Sequence, residues 1–117
     1  MHRLIRATMN SIRGLKAALR TDAAVREELF VLALAVPVGW LLAPSLGWFV
    51  AMIGGLMSLV AVEMLNTAIE KLADHVTPEN NPRIGTIKDM GSTAVLFAMT
   101  AALLIWIAAL AERLGLD

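Results

Sequence analysis

Three apolar runs, at residues 29–43, 46–65 and 94–111, take up nearly half of this chain. A protein of 117 residues has too much surface for its volume to bury all three in one water-soluble core. The hydrophobic fraction is 58%, and the mean hydropathy is +0.71. Much of that apolar surface must therefore face lipid. With its helical lead-in, each run is long enough to cross most of a hydrocarbon core of about 30 Å. The expected architecture is a single all-α membrane domain over residues 1–117. Its spans should lie at about 27–43, 46–65 (continuing as a helix to 74) and 90–111.

Residues 3–20 have a different pattern. Leu4, Thr8, Ile12, Leu15 and Leu19 recur at spacings of three and four, while Arg6, Arg13 and Arg20 recur at seven on another face with Arg3 and Lys16. This predicts an amphipathic helix lying in the headgroup region, basic side towards anionic lipid. Its cations can anchor the chain or meet a polyphosphate. Asp22 interrupts the pattern and fits the N-cap of a new helix. Pro37 should bend the first span. Trp40 and Trp48 flank a turn at Pro44, Ser45 and Gly47, as an aromatic belt at the far interface would. Residues 77–85 are turn chemistry throughout, and Thr86-Ile87-Lys88-Asp89 has the capping-box pattern of a helix start. Gly54, Gly55 and Ser58 permit close helix contact. The N-terminus lacks the apolar core and cleavage site of a signal peptide.

The second span runs without Gly or Pro into Glu63-Met64-Leu65-Asn66-Thr67-Ala68-Ile69-Glu70-Lys71-Leu72-Ala73-Asp74. At 3.6 residues per turn, Glu63, Glu70 and Asp74 fall within roughly 40° of one another, with Asn66 and Thr67 on the flanks. An ionisable side chain at the edge of hydrocarbon is costly, which makes it a functional candidate. The competing reading is a solvated face, with Asn66 bonded to a neighbouring helix.

Apart from Arg113, every Lys and Arg lies in the N-terminal segment or the 71–93 region. The positive-inside bias makes both cytoplasmic. The surface helix, the acidic stripe and the polar loop then share the side where ATP is available. Without cysteine or a histidine pair, the carboxylates suit a hard cation such as Mg²⁺, with water and phosphate oxygens completing its shell. A partly desolvated carboxylate at the membrane edge suits a general base, and nearby Lys and Arg would neutralise a phosphoryl group in transfer. No Walker A run or protein-kinase signature is present. On the residues alone, phosphotransfer competes with a proton or ion pathway and with a non-catalytic helix bundle.

Glu63-x-x-Asn66-Thr67-Ala68-Ile69-Glu70, followed by Asp74, Pro78-Glu79 and Lys88-Asp89-Met90-Gly91-Ser92, resembles the prokaryotic diacylglycerol kinase family. Ser11-x-x-Gly14-Leu15 and Ala23-Ala24-x-Arg26 resemble its N-terminal half, so the likeness covers essentially the whole chain. It implies a surface helix plus three transmembrane helices, a homotrimer with sites shared between protomers, and MgATP as donor to a membrane alcohol at the bacterial inner membrane. By this resemblance Glu63 is the base, and Glu70 and Asp22 hold Mg²⁺, Asp22 standing where the family usually has glutamate. Arg3, Asn10, Asp22, Glu70, Glu79, Asn80, Asn81, Lys88 and Asp89 align with nucleotide contacts; Asn10, Asn80 and Asn81 depart from the usual residue types. Arg3, Glu28, Glu63, Ser92 and Trp106 fall where the lipid lies, with Asn66 and Asp74 in support. Lys88 to Ser92 look more like the diacylglycerol branch than the undecaprenol branch. No nucleic-acid partner is expected.

Overall fold

A computed structural model describes residues 1–77 and 79–116; Pro78 of the family-like motif and the terminal Asp117 lie outside the described residues. Among the described residues there are four helices and no strand: α1 His2–Thr21, α2 Ala23–Leu42, α3 Leu46–Val76 and α4 Pro82–Arg113. Their ends follow from local chemistry. Asp22 caps α2 by accepting from the Ala24 amide, and Ser45 caps α3 by accepting from the Trp48 amide. Gly115, at φ 74°, closes α4: its amide donates to Glu112 O, and the Leu116 amide donates to Ala111 O.

The start of α4 differs from the capping-box expectation. Asn81 is the N-cap, its Oδ1 accepting from the amides of Arg83 and Ile84, and Pro82 opens the first turn. Proline at that position loses no hydrogen bond and has a φ already suited to the helix, so the helix begins before Thr86. The Thr86 hydroxyl instead donates back to Pro82 O, and Asp89 sits in mid-helix rather than at a cap.

At 1.5 Å per residue, α3 and α4 are each about 46–48 Å long. Both are apolar and long enough to cross a membrane and to project beyond it. Among the described residues they are the two helices that meet this test. Arg26, Glu27 and Glu28 occupy the second turn of α2, so its uncharged part, residues 29–42, spans only about 21 Å.

Helix α3 is the hub, packing along α4 on one side and α2 on the other, both antiparallel. Near the far end, the Trp106 indole N–H donates to Met52 O (3.1 Å), and its ring lies against Gly39 of α2. Gly55 lets α4 approach at Ala102 and Ile105, and Trp40 meets Phe49 edge to face at 5.3 Å. Near the other end Asn66 rests on Gly91. The two tie points on α3 are about 21 Å apart along its axis. Met52 and Val25 are the largest fully buried side chains.

No residue of α1 is buried, and it contacts the bundle chiefly through α2. Leu4, Ile5, Met9 and Ile12 lie exposed along it, the apolar face that a headgroup-level helix sinks into lipid.

Candidate active site

The corner between α1 and α2 is fastened to α3 by two contacts, through Thr67 and Lys71, and is braced within itself by Arg26. The Thr67 hydroxyl donates to Asp22 Oδ2, while Oδ1 of the same carboxylate accepts from the Ala24 amide at 2.9 Å. Lys71 Nζ donates to Thr21 Oγ1 (2.5 Å), and the Arg26 guanidinium donates to Leu19 O (2.8 Å). The Thr67 hydrogen bond holds the Asp22 carboxyl below the usual carboxylate range, helped by the Ala24 and Val25 amides and the Lys71 charge against partial burial.

Glu70 lies one turn beyond Asn66 on α3 and accepts from the Asn66 Nδ2 at 3.2 Å. Asn66 itself is buried, and its Oδ1 has no hydrogen-bond partner. An unpaired buried carbonyl of this kind costs about 1–3 kcal/mol. Glu28 on α2 and Glu63 on α3 are half-buried, and one oxygen of Glu28 is buried without a partner. Asp22, Glu28, Glu63 and Glu70 stand close enough for their charges to repel: Glu28 feels Glu63 and Asp22, and Glu63 feels Asp22 and Glu70. Four acids from two helices thus lie within electrostatic reach of Glu63 or Glu28 at one end of the bundle. Such a cluster in part-buried surroundings needs a cation, a proton or a polar ligand to offset it.

An open-sided apolar cavity of about 380 Å³ lies between α2, α3 and α4, its nearest lining residues, Val31 and Leu59, one helical turn from Glu28 and Glu63. Its lining continues the faces that carry the polar groups. On α2, Glu28 is followed at helical spacing by Val31, Ala35 and Val38. On α3, Glu63 is preceded by Leu59 and Leu56, and on α4, Ser92 is followed by Met99, Leu103 and Trp106. The site is therefore amphiphilic, with carboxylates and a hydroxyl above and hydrocarbon below.

Other residues singled out in the sequence are less central within one chain. Lys88 on α4 pairs with Asp74 on α3 at 2.5 Å, bridging the helices where they project beyond the apolar segment. Glu79 and Asn80 are exposed in the connection, and Asp89 and Ser92 are exposed on α4. Asn81 is committed to capping α4. Arg3 and Asn10 border a shallow groove with Arg6 on α1, where Asn10 accepts from Arg13. Arg3 is about 27 Å along α1 from the corner at Thr21, so one chain does not bring it to Glu63. Sequence reasoning gave no partner for Thr67, which latches Asp22, and no reason for Gly91; a lone glycine inside an otherwise helical run was the available signal.

Among the described residues, no three His, Cys, Asp or Glu side chains converge as a preformed metal centre. Mg²⁺ requires less, because one or two carboxylates suffice when phosphate oxygens and water supply the rest. Asp22 and Glu70 are the two carboxylates that could supply them: both act on the charge of Glu63, one bonded to Thr67 and the other to Asn66.

Comparison with known proteins gives a consistent picture. A family model described as prokaryotic diacylglycerol kinase matches residues 9–110. The chain is 37% identical to the diacylglycerol kinase of Escherichia coli K12 over 113 residues, covering 97% of this chain and 93% of that one. It is 37% identical to the diacylglycerol kinase of Pseudomonas aeruginosa over 106 residues (91% and 86%). Against that of Haemophilus influenzae it is 31% identical over 103 residues (88% and 87%).

Proposed function

The chain belongs to the prokaryotic diacylglycerol kinase family and is by that membership a lipid kinase; we propose that it transfers the γ-phosphoryl group of ATP to the free hydroxyl of diacylglycerol, giving phosphatidic acid. The observation that carries this reading is the amphiphilic site, where the cavity faces of α2, α3 and α4 run up into Glu28, Glu63 and Ser92. A lipid alcohol has the matching form: its chain suits the cavity and its hydroxyl suits the carboxylates.

In the mechanism, Glu63 takes the proton from the lipid hydroxyl as that oxygen attacks the γ-phosphorus in line. The bond from the γ-phosphorus to its bridging oxygen breaks, and ADP leaves with the electron pair. Mg²⁺ arriving with ATP would be held by Asp22 and Glu70 and would neutralise charge on the phosphate oxygens. Lys88 and Arg3 steady the remaining phosphate charge, Lys88 exchanging its Asp74 contact for a phosphoryl oxygen. Asn10, Glu79, Asn80, Asn81 and Asp89 border the nucleotide, while Glu28, Ser92 and Trp106 border the lipid. Arg3 and Asn10 reach the site from a neighbouring copy, in a homotrimer whose three sites are shared. The protein sits in the bacterial inner membrane with α2 as its third span, and its N-terminus and site are cytoplasmic. That side is supported by the gathering of basic residues there.

Purified protein with radiolabelled ATP should label diacylglycerol faster than undecaprenol presented side by side. Faster labelling of undecaprenol would place the chain in the sister branch; ATP-independent collapse of a liposome pH gradient without labelling would favour an ion pathway. Glu63→Gln should reduce turnover by about 10²- to 10⁴-fold while the oligomer stays assembled, and near-normal turnover would remove Glu63 from the mechanism.

A further inference from the structure

We infer that Gly91 is a positioning residue for Glu70, acting across the helix interface through the Asn66 side chain. This rests on the reading of Glu70 as a magnesium ligand. Asn66 is 7% exposed, and its Nδ2 donates to Glu70 Oε1 at 3.2 Å. An ionised carboxylate only accepts, so that contact fixes which end of the amide faces Glu70. The amide oxygen therefore turns the other way, towards α4, where it is buried with no partner. What it rests on is Gly91. A β-carbon at residue 91 would stand 2.2 Å from Asn66 Oδ1 and 3.3 Å from its Cγ.

No side chain fits there while the amide keeps its place. Any residue larger than glycine would push the amide round, and the donor facing Glu70 would move with the oxygen facing Gly91. Glycine weakens a helix interior relative to alanine, yet Gly91 is buried in the middle of α4. Gly14, Gly54 and Gly85, also helical, face open space and would accept a β-carbon. The missing β-carbon at residue 91 thus holds the Asn66 amide in the orientation that aims a donor at Glu70. Outer-shell donors of this kind orient a ligating carboxylate, and losing one typically weakens metal affinity 10- to 100-fold.

The test measures binding of Mn²⁺ with a non-hydrolysable ATP analogue, by electron paramagnetic resonance on the purified full chain. Wild type is compared with Glu70→Gln, Asn66→Ala, Gly91→Ala and the Asn66→Ala/Gly91→Ala double variant, each also melted without ligand. Asn66→Ala and Gly91→Ala should each weaken Mn²⁺ binding about 10- to 100-fold. The double variant should bind no more weakly than Asn66→Ala alone, and should melt higher than it, because the new β-carbon fills space the amide vacated. Wild-type Mn²⁺ binding in Gly91→Ala, with binding lost in Glu70→Gln, overturns the inference and leaves the metal role of Glu70 standing. Unchanged binding in Glu70→Gln instead removes that role and the inference with it. If Gly91→Ala alone fails to assemble, the double variant decides: a further tenfold loss relative to Asn66→Ala overturns the inference, and equality upholds it.

Discussion

Asp22 does two things with one carboxylate: Oδ1 starts α2 and Oδ2 fastens that start to α3. The cap was legible in the sequence because it depends on residues next in the chain. The Thr67 latch was not, because its partner is 45 positions away and no local pattern selects it. The latch has a pH signature. The Asp22 carboxyl is held below its ordinary value of 3.8, so the folded state favours the charged form. Stability from that preference is fully present above pH 3.8 and is lost as pH falls through the lower folded value. Asp22→Asn keeps the shape and the cap but has no charge to lose. Without metal, the difference in melting temperature between wild type and Asp22→Asn should therefore be constant from neutral pH to about pH 5 and close below pH 3.8. A difference that stays flat down to pH 2.5 would show that the charge plays no part in the latch. For Glu63 and Glu70, helical spacing alone put the two acids on one side of α3. It could not show that Asn66 would be buried or which residue it would rest on.

Among the elements, α4 shows how a local signal can be outbid by a nearer one. Thr86 and Asp89 carry the capping-box pattern, but Asn81 followed by Pro82 provides a cap and a preset first turn five residues earlier. The gain is an extra turn that carries Lys88 to Asp74 from within a helix rather than from its frayed end. Asn81→Ala should lower stability by about 1 kcal/mol, the usual worth of such a cap, in nucleotide-free unfolding experiments. Thr86→Ala should change it by less than about 0.5 kcal/mol, as for surface sites away from caps and core. The reverse ranking would mean that α4 begins at Thr86. In α2, hydropathy marked the apolar run, but Glu28 lies on the same helical face as the cavity lining. The charges that keep α2 from qualifying as a span by composition are the ones that bring a carboxylate to the site.

The whole molecule is more open than one chain of this size should be. Its radius of gyration is 17.2 Å, against about 13 Å for a compact domain of this length. Its accessible surface is 8527 Å², against about 6,200 Å² for a folded monomer of 12.6 kDa. The surplus is apolar in large part: Phe30, Leu65, Leu96, Phe97 and Leu104 are all at least 60% exposed. Lipid suits such a surface, and the exposed apolar residues of α1 continue it. If sites are shared, mixing Glu63→Gln subunits with Arg3→Ala subunits should restore activity that neither variant has alone, read by phosphate transfer after co-reconstitution. No recovery at any mixing ratio would confine each site to one chain. Chemical character repeated at 3.6-residue intervals along one chain was enough to give the apolar helices, the amphipathic α1 and the acidic stripe, though not the start of α4. Tertiary structure alone decided the Asp22–Thr67 latch, the seat of Asn66 on Gly91 and the meeting of Glu28 with Glu63. Each joins residues far apart in the chain, through contacts fixed only when helices with similar apolar faces settle into one register.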